Sequence, residues 1–485
     1  MTLKAVAAYL PGLPAEQVQW QTLRFGAGAD GVEVAVPHLT PAQLTALAAH
    51  VREAGRQQLK RMPVSQIIAA IDRAVVRLLD ANDPYRVEAE RLLPLVSGFD
   101  AEMVRLGLNA YLKTFRAPQL QRFVVEDFAN PKLLDEFQPV VKGGMARALG
   151  PELLMHVWAG NVPGLPLWSL VCGLLVKAPA IGKVASAEPV FAALFARLLA
   201  EVEPRLADCL AVLWFKGGDT VSEKTLFAEA DTVLAYGGND TLAALRQQVP
   251  IGTRFLPHGH KLSLGLVSSA VLDAQHAQAA ARQAALDVVR YEQQGCYSPH
   301  VFYVARGGRV TPREFAQLLA GELAALQHKF ARRTLTLEEA TSVAGWRERQ
   351  ELKGFAQTGV ELMGDATVPW CVAYAEVASA LQPCALNRTV QVQAVARLDA
   401  AMPLIAAQRD ILQTVGLAAA PHELYALAEA LGQAGATRIC ALGAMTAPEA
   451  GWHHDGRFSL LDLVRMVELE QSAETAAEDF APYKD

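Results

Sequence analysis

Along this chain the spacing of apolar positions changes character several times. Val32, Val34 and Val36 alternate with Glu33 and Ala35, which reads as a short strand, and Thr40-Pro41-Ala42-Gln43 then caps a helix reaching about Arg61. From about Pro63 to Leu153 the apolar spacing is mostly helical. Short apolar runs then alternate with helical stretches. The runs Leu153–Trp158, Ala178–Lys183, Cys209–Phe215 and Thr232–Tyr236 predict strands, and Leu165–Val176, Pro189–Val202, Ser222–Ala230 and Asp240–Gln248 predict helices. Alternation at this length implies an α/β fold built on a doubly wound parallel sheet. In such sheets the loops at the carboxyl ends of strands carry the ligand, here Ala159–Gly164, Lys183–Ser186, Lys216–Asp219 and Gly237–Asn239. A second α/β portion begins near Lys261 and contains a helix expected from about Ala274 to Tyr291. The pattern divides the chain into a lead-in (1–60), a first α/β domain (61–260), a second (261–450) and a carboxyl-terminal segment (451–485) whose acidic tail from Glu468 is expected to fray.

Composition fits this division. A chain of 485 residues, 52% apolar and 19% charged, has material for about two or three packed domains. A net charge of −6 without a basic stripe excludes a nucleic-acid footprint. The longest apolar run, Leu165 to Val176, includes Ser169 and Gly173 and stops at Lys177, well short of a bilayer span. Pro11-Gly12-Leu13-Pro14 interrupts the apolar stretch near the amino terminus, so no secretory signal is expected. Six cysteines without a CxxC pair suit reduced thiols, and the expected location is cytoplasmic.

One of those cysteines stands apart. Glu292-Gln293-Gln294-Gly295-Cys296-Tyr297-Ser298-Pro299 sets Cys296 on a turn after a glycine, where a substrate can reach a thiolate. Cys172, Cys209, Cys371, Cys384 and Cys440 lie in apolar or mixed runs that read as core. Two other motifs mislead. Gly26-Ala27-Gly28-Ala29-Asp30-Gly31 spells GxGxxG, but a strand and Pro37 follow where a dinucleotide site needs a helix, so a hairpin turn is the reading. His453-His454-Asp455 could suggest a metal, but adjacent histidines point to opposite sides of an extended chain and Asp-Gly favours a turn, so a loop is expected and no metal.

Taken in order, GNVPG (Gly160–Gly164), Lys183 with Pro189 six residues on, WFKGGD (Trp214–Asp219), YGGND (Tyr236–Asp240), PHGHK (Pro257–Lys261) and QQGCYSP resemble the LuxC-type acyl-CoA reductases of the aldehyde dehydrogenase superfamily. The resemblance spans about residues 150–300 and continues weakly through Ala441–Met445 and Trp452–Gly456. It implies a cofactor-binding domain followed by a domain carrying the catalytic thiol. It gives Cys296 the role of acyl-accepting nucleophile, and Asn161, with the Cys296 amide, that of oxyanion donor. Lys183 matches the lysine that holds the cofactor ribose. Gly237 and Gly238 match the pair that lets a helix N-terminus approach the pyrophosphate, and Gly217 and Gly218 line the neighbouring loop. Ser186 stands where the superfamily has a ribose-binding glutamate, which tilts the cofactor toward NADPH, with NADH the alternative and Glu188 a competing acid nearby.

The superfamily members that release acids carry a glutamate upstream of the cysteine. Here no Asp or Glu occurs between Arg254 and Leu272, and His258 and His260 are the neutral-pH titrating groups that could handle a proton. The resemblance further implies an acyl-CoA or acyl-protein donor, an acyl-protein synthetase partner and a homo-oligomer, dimer or tetramer. Two rival readings are a cysteine-dependent acyltransferase or thioesterase, and a non-catalytic subunit of an acyl-processing complex.

Overall fold

The computed structural model describes residues 3–26 and 31–482, so most of the glycine-rich turn at 26–31 lies outside the described residues. The chain forms two compact units. The first holds 1–97, 108–259 and 449–485, and the second 98–107 and 260–448.

The first unit is organised by a parallel sheet of five strands, in the order Arg254–His258, Thr232–Tyr236, Leu154–Val157, Ala180–Lys183, Leu210–Leu213. Leu154–Val157 and Leu210–Leu213 are buried at every position, as expected when helices cover both faces. The helices Pro166–Leu175, Phe191–Val202, Thr220–Glu229 and Asn239–Arg246 alternate with the strands. Strand order reverses between Leu154–Val157 and Thr232–Tyr236, which opens a crevice at their carboxyl ends.

The first 60 residues, expected as a separate lead-in, are built into this unit. Strands Leu3–Val6, Gln19–Phe25 and Val32–His38 make a small sheet, and Tyr9 exchanges two 2.8 Å backbone hydrogen bonds with Val212. Thr40 and Gln43 close a capping box on helix Pro41–Gln57, whose Leu44, Leu47, Ala48 and Val51 share a core with the parallel sheet. A three-stranded sheet is too small to bury a core alone, so it docks. The helical stretch expected to Leu153 ends at Asp127 and gives way to strands Gln138–Pro139 and Met145–Leu149. Arg465–Leu469 pairs antiparallel with Met145–Leu149, and helix Gln471–Glu478 follows. The start of the acidic tail, Glu468 and Leu469, is therefore held by a backbone ladder and a Lys142–Glu468 ion pair of 2.6 Å, neither of which needs an apolar run.

The second unit holds a seven-stranded sheet, in the order Val360–Met363, Cys371–Ala375, Thr389–Val395, Pro299–Ala305, Leu262–Val267, Leu412–Ala418, Arg438–Ala441, with only Val360–Met363 antiparallel. Helices Pro312–Lys329 and Leu337–Ala356 open on capping boxes at Thr311/Glu314 and Thr336/Glu339. Among the described residues, no helix is long and apolar enough to cross a membrane.

Candidate active site

In the second unit the helix leading to Cys296 runs Ala277–Val289, starting three residues later and ending two residues earlier than expected. The backbone then reverses hand: Tyr291, Glu292 and Gln293 take φ of 49°, 54° and 61°. For residues with a Cβ this costs about 1–2 kcal/mol each, so tertiary contacts must hold the turn. Ser298 N–H donates to the Gly295 carbonyl at 2.9 Å and closes a tight turn over Cys296 and Tyr297. A Cβ on Gly295 would lie 2.3 Å from the Tyr297 ring, so glycine is required here by close approach. Ser263 Oγ donates to the Cys296 carbonyl at 2.8 Å and accepts the Thr414 N–H at 3.1 Å.

Cys296 is half-exposed, while Cys172, Cys209, Cys371 and Cys384 are buried. Burial pushes the Cys209 and Cys384 thiols up to about 11 and that of Cys371 to about 12, which keeps them protonated. Cys440, expected in the core, is half-buried on the edge strand Arg438–Ala441, with its thiol also pushed to about 11. Cys296 precedes strand Pro299–Ala305, so this loop lies at the amino-terminal edge of its sheet, opposite to the usual ligand edge.

In the first unit the dinucleotide candidates gather at the carboxyl ends of the strands. Asn161 is exposed in the loop after Leu154–Val157. Gly164 in that loop has φ of 79°, and a Cβ on Gly160 would stand 2.8 Å from the Glu188 nitrogen. Lys183 ends its strand with Nζ 5.7 Å from the Phe215 ring centroid, and burial lowers its pKa while Glu223 opposes that shift. Ser186 is exposed, and its hydroxyl accepts the Trp214 indole N–H at 3.0 Å. Glu188 faces inward: its Oε1 accepts the N–H groups of Val190 and Phe191 at 2.8 and 2.9 Å, and burial raises its pKa. It is thus committed to the first turn of helix Phe191–Val202. Around Gly217, Gly218 and Gly238 a Cβ would meet nothing within 4 Å, which leaves open backbone for a dinucleotide; Gly238 caps helix Asn239–Arg246 and Gly237 precedes it.

The structure separates the two candidate histidines. His260 opens the 260–448 stretch of the second unit, which also holds His300, whose pKa burial pushes down to about 4. His258 ends strand Arg254–His258, and its Nδ1 lies 2.9 Å from Asp455 Oδ2. The His258 and His454 rings stack at 4.4 Å with 10° between planes, and Tyr236 stacks on His258 at 4.8 Å. Ligating atoms of His258, His454 and Asp455 all lie within 4.8 Å of one another. Because the imidazole planes are nearly parallel, their in-plane lone pairs run side by side instead of converging on one ion. His454 and Asp455 sit in a short turn, with Asp455 at φ 56°, while His453 turns away toward Asp127. Sequence reasoning missed this partnership, since 197 residues separate His258 from Asp455; WHHDG was the available signal. Beside the stack lies a small pocket, with Trp168, Leu234, Leu256 and Phe458 among its walls.

A family model described as acyl-CoA reductase (LuxC) matches residues 59–466. The chain is 26% identical over 389 residues to long-chain acyl-protein thioester reductase 2 of Photobacterium leiognathi, covering 79% of this chain and 77% of that protein. It is 26% identical over 364 residues to the long-chain acyl-protein thioester reductase of Photorhabdus laumondii, covering 74% and 72%. Among solved structures it is similar to aldehyde dehydrogenase 21 from Physcomitrella patens, with a TM-score of 0.72 at 14% identity, covering 97% and 98% of the two chains. The aldehyde dehydrogenase KauB from Pseudomonas aeruginosa gives 0.73 at 16% identity, covering 95% of each. At such identities the likeness speaks to the fold, which is that of the aldehyde dehydrogenases.

Proposed function

The chain belongs to the acyl-CoA reductase (LuxC) family of aldehyde-forming oxidoreductases, and we propose that it reduces an acyl thioester through a cysteine acyl-enzyme, with NADPH as the preferred reductant. The observation that carries this reading is the half-exposed Cys296, anchored on a strained turn while four other thiols are buried. The Cys296 thiolate attacks the thioester carbonyl and expels the donor thiol. Asn161 and the Cys296 N–H stabilise the oxyanion in that step and again in reduction. The cofactor, when bound, supplies the hydride. Lys183 and Ser186 would hold its adenosine ribose, and the open backbone at Gly217, Gly218 and Gly238, together with Gly237, its phosphates. The C–S bond to Cys296 then breaks, releasing aldehyde and restoring the thiolate. The donor is an acyl-protein or acyl-CoA, an acyl-activating synthetase partner loads the cysteine, and the working enzyme is a homo-oligomer.

The His258–Asp455 pair favours a second reading, a thioesterase, because an imidazole oriented by a carboxylate can activate water. One experiment separates the two. Incubation with an acyl-CoA and no reductant should give a persistent adduct that peptide mapping places on Cys296, and Cys296→Ala should abolish both adduct and aldehyde. Rapid turnover to free acid would establish the hydrolytic reading instead.

A further inference from the structure

We propose that the buried Glu292–Arg388 pair is a clamp that positions Cys296; the inference rests on the reading of Cys296 as the nucleophile. Two runs of non-glycine residues in this unit take left-handed backbone, Tyr291–Gln293 and Leu386–Arg388, the second with φ of 58°, 51° and 67°. Such runs are disfavoured for L-residues and persist only where surrounding contacts over-determine them. Here each run holds the other. Arg388 donates from Nε and Nη2 to the two carboxylate oxygens of Glu292, both at 2.9 Å, and both side chains are 0% exposed. The Asn387 N–H donates to the Glu292 carbonyl at 2.9 Å. Gln294 Nε2 donates to Asn387 Oδ1 at 3.2 Å, and Gln293 Nε2 to the Thr389 and Pro299 carbonyls at 3.0 and 2.8 Å. Arg388 Nη1 also donates to Gln327 Oε1 at 2.6 Å, and Nη2 to the Phe330 carbonyl at 2.8 Å.

A buried ion pair adds little net stability compared with apolar groups of similar volume, so its use here is conformational. A planar guanidinium fork accepts one orientation of a carboxylate, which fixes the backbone at Glu292. From there the chain reaches Cys296 through Gln293 and Gln294, both tied by hydrogen bonds, and the closely packed Gly295. Ser263 holds the Cys296 carbonyl from the far side. The thiol is thus presented by a turn that the clamp keeps in a disfavoured conformation, and neither Glu292 nor Arg388 takes part in the chemistry. They are positioning residues.

The test replaces both partners, Glu292→Gln with Arg388→Met, so that no charge is left buried alone. Cys296 alkylation by iodoacetamide is followed against pH with peptide mapping, beside kcat, the nicotinamide KM and the thermal midpoint. In a folded double variant, alkylation and kcat should fall by about 10- to 100-fold, as for a displaced reacting group, while the nicotinamide KM holds. Arg388→Lys, which keeps the charge but loses the two-pronged fork that fixes the Glu292 carboxylate, should show a smaller drop in the same direction. It decides the question alone if the double variant does not fold. Wild-type alkylation rates and pH profile in a folded double variant, or in Arg388→Lys if that stands alone, would overturn the clamp. Because alkylation needs no substrate, this outcome is separate from failure of the acyl-enzyme mechanism, which Cys296→Ala reports.

Discussion

Ser186→Glu is the substitution that asks most of the cofactor assignment. Ser186 is exposed, and its hydroxyl accepts the Trp214 indole N–H at 3.0 Å, so a longer acidic side chain there meets water and no backbone clash. A 2′-phosphate carries close to two negative charges. A carboxylate about 5 Å away, across an exposed surface of effective dielectric about 60, repels it by roughly 2 kcal/mol. That is about a 30-fold rise in Kd for NADPH. NADH has a hydroxyl at this position and should bind the variant as well as, or better than, the parent. Titration calorimetry with each nucleotide at two salt concentrations provides the measurement. The NADPH penalty should shrink as salt rises, because the repulsion is screened over about 10 Å at 0.1 M. Glu188→Gln is the companion variant: its carboxylate is spent on the Val190 and Phe191 N–H groups, so nucleotide preference should not move. Equal shifts for both nucleotides in Ser186→Glu, or none, would show that the Lys183–Ser186 register is misassigned.

Asn161→Ala should lower kcat by about two to three orders of magnitude with little change in KM, the pattern of an oxyanion donor lost from the transition state; a variant that loses nucleotide binding instead would make Asn161 a turn residue. His156 is wholly buried against Trp158, and neither ring nitrogen has a partner among the described residues. His156→Leu should therefore raise stability at neutral pH by about 1–2 kcal/mol, read from thermal or urea unfolding. Burial lowers this imidazole from 6.5 to about 3. The unfolded chain takes up its proton first, so the wild type should lose stability as pH falls from about 6.5 to 3, on a scale of about 4–5 kcal/mol. His156→Leu should lack that part of the acid slope; an unchanged slope would mean the ring has a proton acceptor after all.

Where the sequence was informative, local periodicity was the reason. The alternation from Leu153 to Gln248 placed every strand and helix of that stretch to within a few residues, because a parallel sheet buried on both faces writes itself as short apolar runs. The turn at Cys296 was legible as a turn, but its left-handed backbone was not, because Arg388 holds it from 96 residues away. The same holds for the His258–Asp455 pair, and for Glu188, whose inward orientation follows from the packing of Gly160 and helix Phe191–Val202 around it. Docking of the first 60 residues and ordering of the start of the acidic tail were missed because strand pairing is a backbone transaction that leaves little mark on side-chain pattern.

Most of the second unit, residues 260–448, is a single insertion in the chain of the first. The first unit's chain leaves at Gly259 and returns at Glu449, and it then supplies the strand Arg465–Leu469 that pairs with Met145–Leu149. During synthesis, which proceeds from the amino terminus, the unit bearing Cys296 has most of its strands available before the first unit can close its antiparallel sheet. Until Glu449 onward emerges, Met145–Leu149 presents an open edge and Asp127 lacks the Leu460 and Leu461 N–H groups it accepts in the finished fold. A nascent chain therefore carries an exposed strand edge from the emergence of Leu149 to that of Arg465, a period in which a holding chaperone or prompt completion decides between assembly and aggregation.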